Sequence, residues 1–485
     1  VGLAPGVPVE VWIFHDPIQF LAGIMQGSSG IQAYQNLSGM GGLPQLAPLA
    51  CMLAFTSLAL SLPRLSRFLN GSLAHFVMAG ALAGAGVATY VHTSGDWAGV
   101  GRCVLDYVSF MAVMVSLFVV SGGIYLEGAW AGTPASNMWV LVLGLLLANG
   151  LGSVGACMVL LRPLLRSNRG RRHVTHTLLF FIFIVGNGGG LLTALGNPPL
   201  TLGFLKGLPF FWTLRLWPEW AFLNGTLLLA YFCVETRFFR SEASDVRGAS
   251  ASKRGVQTSM HAVHLEGGLN VVFLGLILLV LCGTGLWLEP WVLGHGGLDR
   301  GSVHVGASVF QVFCLAGLSF VSFKLTPERV HILNRFSFEP LLELGAVFLG
   351  LFGAMLPVLA LVSAKAPGLS LSSPWDYFWF SGWISSVLDN APTYLLFVTL
   401  GLGKAGLAGA SLSRLAAVSP KVLEAVTCGS VMMGALTYIG NAPNLLVRSM
   451  ARHYGVKMPG FFRYMAWSFG VLVPLLFLVA VLFFY

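Results

Sequence analysis

The chain has 485 residues, of which 56% are hydrophobic and only 9% are charged. Soluble domains carry about 25% charge, so this composition excludes a soluble globular enzyme and a disordered chain alike. The net charge of +9 comes from 27 Lys/Arg against 18 Asp/Glu. These basic residues flank apolar runs and form no basic domain, which argues against nucleic acid as a partner and for orientation in a lipid bilayer.

Residues 1–43 hold one apolar patch, Val11 to Met25, interrupted by His15, Asp16 and Pro17, and read as a peripheral segment outside the membrane. The chain begins at Val1 with no Met-led signal region, which fits a trimmed start. Apolar runs of spanning length follow near 44–62, 71–93 and 105–127. The run 137–165 carries a polar knot at mid-length, 172–205 is interrupted by Gly, Asn and Pro, and 217–236 is continuous. A polar Ser/Gly/Lys/Arg stretch, 237–267, reads as a flexible linker. The same order then recurs, with continuous runs near 268–287, 304–323 and 338–363, a knotted run at 374–400, an interrupted run at 415–447 and a last span at 464–485. Each knotted run reads as a hairpin that enters the membrane, turns, and leaves on the same side.

Charge tests that reading. With both knotted runs re-entrant, one side receives Arg64 and Arg67, the five arginines from Arg162 to Arg172, and the five basic residues from Arg237 to Arg254. It also receives Lys324, Arg329, Arg335, Arg448, Arg452, Lys457 and Arg463, so 19 of the 27 basic residues share a side and 8 take the other. Full crossings would divide the same 19 into 13 and 6. The bias makes the richer side cytoplasmic, with the linker there and both termini outside. The expected fold is an all-α polytopic membrane protein with two inverted-topology repeats, 44–236 and 268–485, about ten spans (two of them broken helices) and two opposed re-entrant hairpins.

The repeats also appear in the residues. The first interrupted run contains Leu192-Thr193-Ala194-Leu195-Gly196-Asn197-Pro198-Pro199 and the second Leu436-Thr437-Tyr438-Ile439-Gly440-Asn441-Ala442-Pro443, both L-T-x-[LI]-G-N-x-P. A hairpin asparagine precedes each at a similar distance: Asn149 lies 48 residues before Asn197, and Asn390 lies 51 before Asn441.

Unpaired backbone groups in a bilayer cost several kcal/mol, so broken helices persist only around a polar or ion-filled cavity. One knot alone reads equally well as a kink between packed helices. Four knots at matched places favour a site for a small cation with oxygen ligands. The candidates are Asn149 and Ser153 on the first hairpin tip, Asn187, Thr193 and Asn197 on the first break, Ser386, Asp389, Asn390 and Thr393 on the second tip, and Thr437 and Asn441 on the second break. Asp389 is the one acid within the knots, able to hold Na⁺ when ionised and to carry a proton otherwise. Glu343 is a possible second proton site, equally readable as a helix-start acid. His173 and His176 read as interfacial. The seven cysteines are scattered singly, with no CxxC or Cys/His spacing, so neither a transition-metal site nor a disulfide framework is expected, and no cofactor.

The run Gly186-Asn187-Gly188-Gly189-Gly190-Leu191-Leu192-Thr193-Ala194-Leu195-Gly196-Asn197-Pro198-Pro199 resembles the S-N-x-G-G-x-x-T-x-x-G-[DN]-P-P signature of the ion transporter superfamily. It looks closest to NhaD-type sodium/proton antiporters and the related citrate-transporter branch. Segments 148–156, 388–393, 438–444 and 335–346 match as well, and the resemblance runs from about residue 44 to the end. It implies a homodimer, opposed hairpins, an elevator-like alternating-access movement, and Na⁺ at the tips and breaks. It would suit a bacterial inner membrane. Two departures stand out: Gly186 replaces a common Ser, and Asn197 replaces a common Asp, which leaves Asp389 as the core acid.

Three functions follow as expectations. Sodium/proton antiport through Asp389 comes first. Sodium-coupled uptake of a di- or tricarboxylate such as citrate is the alternative, though no Arg or Lys lies in the knots. An intramembrane enzyme lacks a HExxH motif, a GxSxG elbow or a paired-Asp site, so transport rather than catalysis is expected.

Overall fold

The computed structural model describes residues 72–127, 132–169, 171–248, 264–284, 288, 291–292, 300–334, 336–368 and 371–485. The expected span 44–62 and the peripheral segment 1–43 lie outside them. In chain order the helices are α1 (Ser72–Ser94), α2 (Trp97–Gly122), α3 (Pro134–Ser167), α4 (Thr175–Phe181), α5 (Pro198–Leu205) and α6 (Trp217–Gly248). There follow α7 (Leu269–Gly283), α8 (Arg300–Leu325), α9 (Glu328–Leu333), α10 (Glu339–Lys365), α11 (Pro374–Val387) and α12 (Asn390–Lys404). The last are α13 (Leu412–Val418), α14 (Pro420–Met432), α15 (Ala442–His453) and α16 (Phe461–Phe483). Two short strands, β1 (Tyr125–Glu127) and β2 (His264–Glu266), pair antiparallel.

Among the described residues, five helices are long and apolar enough to cross a membrane, or six if the pair 412–418 and 420–436, bent by 117°, counts as one span. The protein is therefore an all-α integral membrane protein. Of the stretch expected as a linker, 249–263 lies outside the described residues; before it α6 continues to Gly248, and after it β2 pairs with β1.

The chain divides into two units. One comprises residues 1–104, 342–372 and 399–409; the other comprises 105–341, 373–398 and 410–485. In the first, α1 meets α10 through small residues: a Cβ on Gly86 would lie 2.2 Å from Gly353 O, and one on Gly353 2.5 Å from Ala83 Cα. Backbones that approach this closely gain dispersion contacts that larger side chains would prevent, the usual device of membrane helix pairs.

The second unit holds every candidate site residue except Glu343, which lies on α10 in the first unit and whose side chain is outside the described set. Here α3 folds back on itself. A straight helix would set residues 137 and 168 about 46 Å apart. Instead Asn137 and Asn168 exchange two side-chain amide bonds of 2.9 Å. The turn is Gly152, at φ 72° and ψ 159°, a backbone state open to glycine and strained for other residues. Thr133 caps the start of α3, with Pro134 in the first turn where its missing N–H costs nothing. Ser373 and Asp376 form a reciprocal capping box at the start of α11, which accounts for Asp376 as a structural acid.

Away from the helix breaks, two sets of polar contacts in this unit involve charged residues near helix ends. In one, Arg166 meets Leu126 O at 2.6 Å, Arg162 meets Asn334 at 2.9 Å, Arg329 meets Glu266 at 3.2 Å, and Thr175 meets Lys457 O at 3.2 Å. Glu235, fully buried, belongs to this group; it accepts from Asn137 at 2.9 Å and pairs with Arg171 and His176. Arg171 also reaches Glu242 at 3.1 Å. His176 is thus a buried partner of Glu235 rather than an interfacial residue, because α4 packs that edge against α6. In the other group, Lys206 pairs with Asp106, and Arg215 and Lys421 hold Glu424 at 2.9 and 2.8 Å.

Candidate functional site

The two motif copies form two helix breaks. In the first, α4 widens into a π turn over Ile182–Asn187, narrows to a 3₁₀ turn over Gly188–Leu191, and stops; α5 restarts at Pro198. In the second, α14 passes into a 3₁₀ turn over Met433–Leu436 and α15 restarts at Ala442. The motif glycines permit this. A Cβ on Gly196 would stand 2.1 Å from Gly190 O, and one on Gly440 2.6 Å from Gly434 O.

Each break is tied to a hairpin tip by the same contact, since Thr193 donates to Asn149 O and Thr437 donates to Ser386 O. The carbonyl that receives the threonine belongs to Asn149 on the first tip and to Ser386, not Asn390, on the second. The first tip turns within a single residue at Gly152, whereas the second opens at Leu388 and Asp389 before α12 begins, so equal counts along the chain do not reach equal places. Further bonds bind the first tip: Leu192 N to Asn149 Oδ1 at 2.9 Å, Ser153 N to Gly196 O at 2.9 Å, and Ser153 Oγ to Asn197 Oδ1 at 3.1 Å.

The breaks meet one another through amides. Asn187 donates to Asn444 Oδ1 at 2.8 Å, and Asn441 donates to Asn187 Oδ1 at 2.9 Å and to Gly186 O at 3.1 Å. A longer contact of 3.4 Å runs from Asn441 to Asn197 Oδ1. These four asparagines are at most 1% exposed, a neutral junction in the middle of the unit.

The carbonyls freed by the breaks are mostly satisfied. Asn224 serves Gly188 O, Trp220 serves Gly189 O, and Thr213 serves Leu192 O. In the second half Tyr464 serves Ala435 O and Ser468 serves Leu436 O. Asn444 grips Gly434 O and Thr437 O, at 2.8 and 2.9 Å. The sequence motifs mark none of Thr213, Trp220, Asn224 and Ser468; a lone amide or hydroxyl in an apolar run is the available signal for Asn224 and Ser468.

Some oxygens remain available. The Asn390 side chain, 0% exposed, has no hydrogen-bond partner at either amide atom, and Asn441 Oδ1 has none. Asp389 is half-buried, accepts a long 3.4 Å bond from Ala391 N beside a further backbone contact from Asn390, and has no cationic partner among the described residues. Thr393 Oγ1 bonds Asp389 O at 3.1 Å on the same tip. Asp389 makes no hydrogen bond to Asn149.

Anion donors are scarce at the same place. Helix α5 opens with two prolines and its third residue, Leu200, donates to Asn197 O at 3.0 Å. Helix α15 has Pro443 second, and Asn444 N donates to Asn441 O at 3.1 Å. Two helix N-termini that face the junction thus keep their dipoles but few free N–H groups.

A chain of apolar helices interrupted by paired, neutral, oxygen-rich breaks is the build of a secondary transporter. The family comparison agrees: the model of the CitMHS_2 family, described as putative citrate transport, matches residues 41–484, and the chain belongs to that family. The resemblance thus settles on the citrate-transporter branch and not on NhaD-type antiporters in particular. A search of curated proteins gives no match.

Proposed function

We propose that the protein couples Na⁺ to the movement of a di- or tricarboxylate of the citrate type by alternating access. The observation that carries the cation is the pair of buried amide oxygens without partners on Asn390 and Asn441, together with the half-buried Asp389 carboxylate, which has only weak backbone contacts. A hard cation takes such oxygens, and an ionised carboxylate among them lowers the cost of its dehydration. The family description supports the carboxylate.

Sodium/proton antiport is the second reading. It is favoured by Asp389 having no cationic partner among the described residues, since such a carboxylate can exchange Na⁺ for H⁺. Asp389→Asn separates the readings from a packing role: it keeps shape but removes charge. In proteoliposomes it should abolish Na⁺ dependence while the protein stays folded. Wild-type Na⁺ dependence in Asp389→Asn would remove the residue from the coupling site.

The proposed architecture is two inverted repeats, 44–236 and 268–485, with re-entrant hairpins near 137–165 and 374–400 and about ten spans. The repeated threonine-to-tip bond, the repeated glycine approach and the hydroxyls that serve Leu192 O and Leu436 O support it. So does the grouping of polar contacts: residues assigned to the basic, cytoplasmic side touch each other, and those assigned outside do likewise. A homodimer in a bacterial inner membrane, without a cofactor and without enzymatic chemistry, completes the proposal.

A further inference from the structure

The carboxylate reading has one unmet requirement: no Arg or Lys lies in the tips or breaks, and the prolines remove most helix N–H donors. The fold brings a cation there from elsewhere. Arg448, which by sequence reads as one of the charges that mark the cytoplasmic side, lies within α15, four residues and so about 6 Å along the axis from Asn444 of the junction. Residues four apart share a helix face. Its guanidinium stacks 4.5 Å from the ring centre of Tyr438, a residue of the second break between Thr437 and Asn441.

The Tyr438 ring is fixed. It is 1% exposed, stacks on Tyr464 at 3.9 Å between centroids, and its hydroxyl donates to Pro459 O at 3.2 Å. A guanidinium drawn over a fixed ring by cation–π attraction still has N–H groups to offer another partner. Arg448 has none among the described residues: its Nε is buried and without a hydrogen bond, and no carboxylate pairs with it. The other charged group that faces it is Arg452, one turn further on. An arginine that served only to mark membrane orientation or to complement the helix C-terminus would be free to extend into water. This one is half-buried and stacked on the break.

We propose that Arg448 is the carboxylate anchor of the transport site, an inference that rests on the carboxylate reading above. One carboxylate of the substrate takes the guanidinium, and a second is left to share the Na⁺ held near the junction. The site therefore prefers substrates with at least two carboxylates, and Tyr438 acts as the positioning residue for Arg448.

The test is uptake of radiolabelled citrate and succinate into proteoliposomes by the full chain, its Arg448→Gln variant and its Arg448→Lys variant, with KM measured separately for carboxylate and for Na⁺. Loss of a charge-assisted pair should raise the carboxylate KM of Arg448→Gln by about tenfold to a hundredfold. The KM for Na⁺ should stay in place. Arg448→Lys should fall between, because it keeps the charge and loses the planar fork. A merely structural role would lower stability and maximal rate without this split. An unchanged carboxylate KM in Arg448→Gln overturns the anchor and leaves the transport reading standing. If Arg448→Gln does not fold, a wild-type carboxylate KM in Arg448→Lys overturns it equally. A wild type that takes up neither carboxylate but exchanges Na⁺ for H⁺ overturns both proposals.

Discussion

Replacing Gly196 by alanine probes the break directly. The added methyl would sit 2.1 Å from Gly190 O, 2.5 Å from Gly190 C and 2.7 Å from Gly190 Cα, all backbone atoms. Side chains could rotate away, but backbone must translate, here by about 0.9 Å to reach even the tightest real contact of 3.0 Å. The segment that would move is held by the bond from Asn197 Nδ2 to Gly190 O at 2.9 Å and by that from Ser153 N to Gly196 O at 2.9 Å. Overpacking of this kind costs about 1–3 kcal/mol and two weakened hydrogen bonds add about 1–3 kcal/mol, so Gly196→Ala should destabilise by about 2–6 kcal/mol. Gly440→Ala should cost less, since its nearest contacts are 2.6 and 2.7 Å. Gly150→Ala is the control: nothing lies within 4 Å of its Cβ, and alanine favours helix. Thermal unfolding of purified protein in detergent, followed by intrinsic fluorescence, compares the three. Equal midpoints for Gly196→Ala and Gly150→Ala would refute the close approach of 190 to 196 and with it this geometry of the break.

Three other outcomes follow. Glu235→Ala leaves Arg171 and His176 without their shared carboxylate in a buried setting and should destabilise by about 3–5 kcal/mol, measured by the same melt. In a cysteine-free background, an impermeant thiol reagent on intact cells should label a cysteine at Lys206 and spare one at Arg240; the reverse would invert the proposed sidedness. Asp96, in the turn before α2, accepts from Gly99 N at 2.9 Å, from Tyr90 Oη at 2.9 Å and from Arg102 at 3.0 Å, and the Gly99 bond chiefly holds its carboxyl below the ordinary range. Its cap is therefore complete above the usual carboxylate pKa and is lost as pH falls through the lowered value. Hydrogen exchange at the start of α2 should quicken in acid, and Asp96→Asn should flatten that pH dependence.

The breaks are legible in the sequence because glycine, asparagine and proline inside an apolar run leave backbone groups that a continuous helix would have satisfied. Gly196, Asn197, Gly440 and Asn441 stand at the places the motif marks. What the sequence hides depends on how helices are rotated about their axes. Asn137 and Asn168 look like ordinary ends of a run, and only the fold-back at Gly152 makes them partners. Glu235 reads as a span-end charge in Val-Glu-Thr-Arg, yet the face of α6 on which it lies is covered by α3 and α4. The register of the second tip is hidden as well, since a spacing of 51 residues cannot show that Ser386, rather than Asn390, meets the threonine. Arg448 shows its charge in the sequence, but its use depends on the ring beneath it.

The central claim is that a Na⁺ gradient drives a carboxylate through this chain. The most direct measurement is uptake of radiolabelled citrate into proteoliposomes containing the purified wild type, under an inward Na⁺ gradient with equal pH on both sides. Internal pH is read in parallel. Uptake that requires Na⁺, saturates with citrate and is competed by succinate but not by acetate is the predicted result. No carboxylate uptake, together with internal acidification or alkalinisation that follows the Na⁺ gradient, would contradict the claim and make the protein a sodium/proton antiporter.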